Sequence, residues 1–252
     1  HRPLGRPFPA AWLACLLTSG TVDRNRRYSK FADPKTTTIP SKRGMLIIYT
    51  PAFLTSAVML AAAPDVGRAG LVASLLVIHF AKRVGEVLFV HKYSGNMGPA
   101  CYFISVFYSL LSLLICVQTQ NVPPSLYDAP ASQAVLPVAL AMFVVGQVGN
   151  LYHHGLLAQM RSNQPAKTGE GAAPYSIPTG GLFDLVTTPH YLFEIIAWLG
   201  VALASQQLNA VLVAFGMASY LCGRAVASTR WYESQFGDAY PATRRNIIPF
   251  VF

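Results

Sequence analysis

The sequence predicts an all-α integral membrane protein of seven transmembrane helices, with its N-terminus outside and its C-terminus in the cytoplasm. Three observations carry this reading. Of 252 residues, 53% are hydrophobic and 12% are charged, about half the charged share of an ordinary soluble domain, so the chain cannot cover itself with polar surface. The apolar residues fall in blocks of roughly 15 to 25, long enough to cross a hydrocarbon core of about 30 Å as helices. The loops between the blocks alternate between basic and non-basic, as expected when Lys and Arg are retained on the cytoplasmic side.

In chain order the spans are 8–22, 44–63, 70–90, 99–117, 134–158, 182–204 and 208–227. The first is short, holds Pro9 and follows His1 rather than a Met, which points to a truncated or processed beginning for residues 1–27. A cleaved signal peptide is the other reading, without a clear small-residue cleavage pattern. The connection 23–43 carries Arg24, Arg26, Arg27, Lys30, Lys35, Lys42 and Arg43, whereas 64–69 has Asp65 and Arg68. The loop 91–98 has His91 and Lys92, 118–133 has Asp128 and no base, 159–180 has Arg161 and Lys167, and 205–207 is uncharged. Arg230, Arg244 and Arg245 end the series on the basic side.

The net charge of +9 is thus largely accounted for by topology, and no nucleic-acid partner is expected, since that requires a soluble basic face. The concentrated cytoplasmic charge suits anionic lipid or a phosphorylated ligand. Cys15, Cys101, Cys116 and Cys222 lie in apolar segments without short paired spacing, which indicates small core residues rather than a disulfide framework or a zinc site. A single domain over 1–252 is expected. The one long irregular stretch, 160–181, holds Gly169, Gly171, Pro174, Pro178, Gly180 and Gly181, and a loop of that length is usually functional or mobile.

Polar groups at membrane depth are costly and mark candidate sites. His79, Lys82, Arg83 and Glu86 are three or four apart and share one face of the third segment. They read either as an internal ion pair or as a cationic wall for a phosphate. The fifth segment ends Gly149-Asn150-Leu151-Tyr152-His153-His154, then Arg161. Adjacent histidines invite a metal, but membrane di-iron oxygenases need repeated histidine clusters, and six histidines in all do not supply them; no metal is expected. His190 and Glu194 lie one turn apart on the sixth segment, where Glu194 either holds a polar ligand or pairs with a buried base such as Arg224. No Gly-rich dinucleotide fingerprint follows a strand, so any nucleotide binds among helices.

The segments Tyr175-Ser176-Ile177-Pro178-Thr179-Gly180-Gly181-Leu182-Phe183 and Pro189-His190-Tyr191-Leu192-Phe193-Glu194 are followed by Gly223-Arg224, Trp231-Tyr232 and Ile247-Ile248-Pro249-Phe250-Val251-Phe252. In these the chain resembles the steroid 5α-reductase family, from about residue 28 to the end. Plant and algal members are resembled most, through Tyr28-Ser29-Lys30-Phe31, Gly44-Met45-Leu46, Tyr49-Thr50-Pro51-Ala52-Phe53-Leu54 and Phe89-Val90-His91-Lys92-Tyr93-Ser94-Gly95. Enoyl-CoA and polyprenol reductases belong to the same wider group.

The resemblance implies a seven-helix reductase of the endoplasmic reticulum, with a plastid or mitochondrial membrane as the other addresses, holding NADPH in a cavity open to the cytoplasm. Its implied cofactor contacts are Asn150, His154, Arg161, Tyr175, His190, Glu194, Arg224, Tyr232 and Arg244, with Arg83 and Lys92 near the phosphates and 160–181 as a lid. The implied reaction sends hydride to the β-carbon of an enone in a lipid-like substrate, while a hydrogen-bond donor stabilises the charge developing on the carbonyl oxygen. Steroid-reducing members supply that donor from a Glu and a Tyr; the matching positions here are Tyr49 and Phe80. Tyr49 reads either as a replacement donor, with His79 as a second candidate, or as an interfacial aromatic with a wet hydroxyl. The reading from a different class is a nucleotide-binding or structural subunit of a membrane complex.

Overall fold

The computed structural model describes residues 38–63, 67–163 and 175–252. The expected first span 8–22, the bases Arg24 to Lys35, Cys15, Asp65 and the lid residues 164–174 with Lys167 lie outside them. The described chain is helical almost throughout: α1 (Ser41–Ala61), α2 (Arg68–Gly85), α3 (Ala100–Gln120), the single turn α4 (Pro124–Tyr127), α5 (Pro130–Ser162), α6 (Pro189–Ser205) and α7 (Leu208–Phe236). Two residue pairs form a minimal antiparallel ladder, β1 (Ile39–Pro40) against β2 (Asn96–Met97), which ties the start of α1 to the entry of α3.

Helix boundaries follow local chemistry. Pro130 and Pro189 open α5 and α6 at positions where a missing N–H is harmless and a fixed φ helps. Helix α6 therefore begins later than the expected 182. Thr188, pushed out of the helical region by the proline after it (φ −135°, ψ 62°), ends a looped stretch. In that stretch Gly180 and Gly181 take positive φ and Gly181–Asp184 form one 3-10 turn. Helix α2 runs on into a π-helical turn, Glu86–Val90, so the expected span 70–90 is continuous but widens at its end.

By length and apolar composition α1, α3, α5 and α7 suffice to cross a bilayer. Their outward side chains are what lipid requires: Phe103, Val106 and Phe107 on α3, Val144, Val145 and Val148 on α5, and Leu212 and Phe215 on α7 are all exposed. The chain is an all-α, multi-pass membrane protein. Helix α6 is apolar but has 17 residues, about 25 Å at 1.5 Å per residue, and α2 carries Arg68, Lys82 and Arg83. These two are the inner helices of the bundle. Phe80 and Leu76 of α2 and Trp198 and Val201 of α6 form the centre of the core with Ile48 and Ile115. Cys101 and Cys116 are small buried members of it with free thiols, and Cys222 is half-buried.

The closest helix pair is α5 with α6. A Cβ on Gly146 would overlap the backbone of Ala197, and one on Gly200 would lie 2.7 Å from Phe143 N and 2.8 Å from Ala139 O. Small residues let the two backbones touch, as is common where lipid removes the hydrophobic drive between helices. At the end of the bundle away from the ladder, Arg68 closes the C-terminus of α6. Its guanidinium donates to Ala204 O (2.9 Å) and Ser132 Oγ (3.3 Å) and lies 5.0 Å over the Tyr127 ring. The Tyr127 hydroxyl donates to Ser205 O, so helix-end carbonyls that water would otherwise satisfy are bound.

Gly146→Val is expected to destabilise the detergent-solubilised protein by about 1–3 kcal/mol through overpacking, seen as a lower melting temperature. Gly216→Ala, where an added methyl meets open space, is expected to leave the melting temperature unchanged or raise it.

Candidate active site

The start of α1, the end of α2, the start of α3, the end of α5, the start of α6 and the end of α7 all lie at one end of the bundle. A cavity of about 800 Å³ opens among them. Behind its wall sits Glu86, only 1% exposed. A carboxylate so deeply placed must be paired and hydrogen-bonded, and it is. Arg83 donates to Oε2 at 2.5 Å, Lys82 Nζ lies 3.5 Å from Oε1, and His154 Nδ1 lies 3.1 Å from Oε1. The helical spacing that placed Lys82, Arg83 and Glu86 together thus produces an ion cluster in which both bases take part.

The cluster reaches the cavity wall through its cations. Arg83 donates its other terminal nitrogen to the Tyr49 hydroxyl at 2.8 Å, with its guanidinium carbon 4.7 Å over the same ring. Lys82 donates to Asn150 Oδ1, and Asn150 Nδ2 donates to His190 O at 2.9 Å. Tyr49 in turn stacks on Tyr108 of α3, ring centroids 6.1 Å apart and planes 14° apart.

Of the residues expected to hold a nucleotide, Arg83, Asn150, His154, Arg161, Tyr175, His190, Glu194 and Arg224 line this cavity together. Lys92 and Tyr232 line an adjoining space of about 260 Å³ with His91, Arg161 and Tyr175. Arg244 lines neither. Its guanidinium donates to Pro178 O at 2.7 Å and lies 5.7 Å from the Tyr240 ring. From there it fastens the described end of the 160–181 loop to the C-terminal tail. Tyr175, from the same loop, meets the edge of Trp231 at 4.8 Å, and Arg161 donates to Ser94 Oγ.

His79 is buried behind the wall instead of lining the cavity. Its ring lies between Gln147 (2.9 Å), Glu194 (3.4 Å) and Trp198. Phe80 is 1% exposed and packs edge-on to Trp198. The adjacent histidines diverge. His153 donates Nδ1–H to Gly149 O and accepts Leu182 N–H at Nε2, pinning the 3-10 turn to α5, while His154 faces the cavity. Glu86, His91 and His154 bring three ligand-type atoms within 4.8 Å. With Arg83 and Lys82 already neutralising the carboxylate, this is a poor cradle for a divalent cation.

Sequence reasoning passed over Tyr93, Tyr108, Tyr220 and Trp231 as wall residues, and Gln147 behind the wall. Tyr108 shares the apolar run of α3 with Tyr102, Ser105, Ser109 and Ser112, so no sequence pattern singles it out.

A bundle of membrane-length helices with a polar, cation-rich cavity at one end defines an all-α membrane protein with an internal ligand site. The chain belongs to the 3-oxo-5-alpha-steroid 4-dehydrogenase family, whose model matches residues 97–252. It is 33% identical over 69% of its length to the very-long-chain enoyl-CoA reductase of Dictyostelium discoideum, covering 55% of that protein. It is 40% identical over 44% of its length to 3-oxo-5-alpha-steroid 4-dehydrogenase 1 of Rattus norvegicus, covering 40% of it. It is 36% identical over 46% of its length to a steroid 5-alpha-reductase of Solanum lycopersicum, covering 41% of it. The matched part of the chain thus spans about half or less of each of these relatives.

Arg83→Met leaves Glu86 buried beside Lys82 and His154 alone and is expected to cost about 3–5 kcal/mol. Adding Glu86→Gln is expected to recover part of that loss in thermal denaturation. His91, beyond the end of the α2 span, is pushed down to about 3 by burial and then by the neighbouring His154 and Arg83 charges. Its folded value lies below the ordinary 6.5, so the folded state binds fewer protons over that interval and stability falls as pH drops from 6.5 toward 3. His91→Gln is expected to make melting temperature less sensitive to acid than in the wild type.

Proposed function

We propose that this protein reduces a carbon–carbon double bond conjugated to a carbonyl in a membrane-borne lipid, with NADPH as reductant. The observation that carries the proposal is the Arg83–Tyr49 hydrogen bond on the cavity wall. The cavity residues fit a dinucleotide. Glu194 Oε2 and His190 Nδ1 are buried without a hydrogen-bond partner among the described residues and belong to cavity-lining side chains. They are the kind of groups that bound amide and ribose hydrogens satisfy. Arg161 and Arg224 on the same wall, with Lys92 in the adjoining space, suit phosphate oxygens through charge-assisted hydrogen bonds.

NADPH supplies the hydride that goes to the β-carbon. The chain's part is electrostatic. Because the Tyr49 oxygen already accepts a charge-assisted bond from Arg83, its own proton is polarised and available to a carbonyl oxygen in the cavity, where negative charge appears as the double bond is reduced. A proton taken up from solvent at the α-carbon balances the hydride and completes the product. Tyr49 thus takes the donor role that the Glu and Tyr of steroid-reducing members fill, and Phe80 serves as packing.

In this reading the chain is one domain of seven spans. Its N-terminus is outside and the cavity opens to the cytoplasm, where 160–181 covers the nucleotide as a lid. The membrane is that of the endoplasmic reticulum. An enoyl thioester is the second substrate reading, favoured by similarity to the very-long-chain enoyl-CoA reductase over 69% of the chain.

Purified protein is expected to bind NADPH and to oxidise it with one of three substrates: a 4-en-3-one steroid, an enoyl thioester or a polyprenal. No turnover with any of them, cofactor bound, would sink the enzymatic reading in favour of a nucleotide-binding subunit that co-purifies with a larger complex. Tyr49→Phe is expected to lower kcat by about 10²–10³-fold with little change in NADPH affinity.

A further inference from the structure

His79 is 3% exposed and lines neither of the two cavities described above, yet it contacts polar groups on two neighbouring helices, α5 and α6. Gln147 Nε2 of α5 lies 2.9 Å from its Nδ1, and Glu194 Oε1 of α6 lies 3.4 Å from its Nε2. An amide NH₂ can only donate, so Nδ1 is the acceptor and the neutral ring carries its proton on Nε2. That proton faces the Glu194 carboxylate. Turning the Gln147 amide over would force Nδ1 to donate and leave a bare Nε2 lone pair against a carboxylate oxygen. The network therefore selects one tautomer. Phe80 and Trp198 flank the ring edge-on, their centroids 4.9 and 5.0 Å from its own, and so restrict its swing.

The contact reaches one oxygen of Glu194 only. Oε1 is directed at His79, while Oε2 is buried without a partner among the described residues on a side chain that lines the cavity. A buried carboxylate oxygen left in that state is costly unless a ligand donor completes it.

We infer that His79 is a positioning residue: it donates Nε2–H to Glu194 and so aims the free carboxylate oxygen at the N–H of a bound nicotinamide carboxamide, with Gln147 fixing the tautomer that makes this possible. The inference rests on the NADPH reading given above. It also gives one stretch of α2 two tasks. His79 and Arg83 are one helical turn apart; Arg83 orients the Tyr49 donor for the substrate, and His79 orients the Glu194 acceptor for the cofactor. The separation between reductant and carbonyl is then indexed by a single rigid turn.

The test compares binding of NADPH with binding of its 3-acetylpyridine analogue, in which an acetyl group without N–H replaces the carboxamide. Both are titrated by fluorescence onto purified full-length wild type, His79→Phe, His79→Gln and Gln147→Leu. Wild type is expected to prefer NADPH by about tenfold or more, the discrimination of one hydrogen bond to a charged acceptor. His79→Phe is expected to lose that preference while retaining its affinity for the analogue. His79→Gln, whose side-chain amide N–H replaces the Nε2 donor, is expected to restore it, and Gln147→Leu to weaken it. An undiminished preference in His79→Phe, or in Gln147→Leu should His79→Phe fail to fold, overturns the role of His79 and leaves the NADPH reading standing. Wild type that binds neither nucleotide overturns the NADPH reading and this inference with it.

Discussion

Burial of Glu86 is the constraint on which the rest of the site depends. A carboxylate inside a membrane bundle is tolerated only where cations and donors meet it. Meeting it here takes Arg83 and Lys82 from its own helix and His154 from α5. Those groups are not consumed by the task. Arg83 has a second terminal nitrogen for Tyr49, and Lys82 has a second direction for Asn150. A charge that must be neutralised thus becomes the hub from which two cavity walls are aimed. The π-helical turn that starts at Glu86 is consistent with such a hub, since widened turns of this kind gather at functional sites.

Membrane character was legible because it is a property of composition and block length. The order of α1, α2, α3, α5, α6 and α7 was equally plain, since each apolar block is separated by loop-forming residues, whereas the single turn α4 falls inside the expected loop 118–133. The start of α6 was misplaced because Leu182, Phe183, Leu185 and Val186 are apolar for a different reason. Phe183 and Val186 are buried, with Val186 bridged to Arg245; they do not form a span.

Within the site, spacing correctly put His79, Lys82, Arg83 and Glu86 on one helical side, but that side is wide. Arg83 reaches the cavity while His79, a turn earlier, faces α5 and α6. Periodicity states which residues share a face, and only packing states what lies opposite it. Gln147 was invisible for that reason: an amide in the apolar run of α5 gains meaning only once His79 is found 2.9 Å away. Arg244 was read as a basic residue of the tail and an implied cofactor contact but not as a fastener, because its partner is the Pro178 carbonyl, a backbone group that no sequence pattern announces.

The glycine seam between α5 and α6 has a mechanical consequence. Where two backbones touch through Gly146 and Gly200, there are no long side chains to change rotamer, and the pair behaves as one stiff plate. Asn150, His154, His190 and Glu194 are all mounted on that plate, so their mutual spacing is insensitive to what enters the cavity. The compliance needed to accept ligands of different girth falls to the facing wall. There Met45, Ile48, Ile104 and Met217 present flexible or rotatable side chains that can yield without disturbing the polar half.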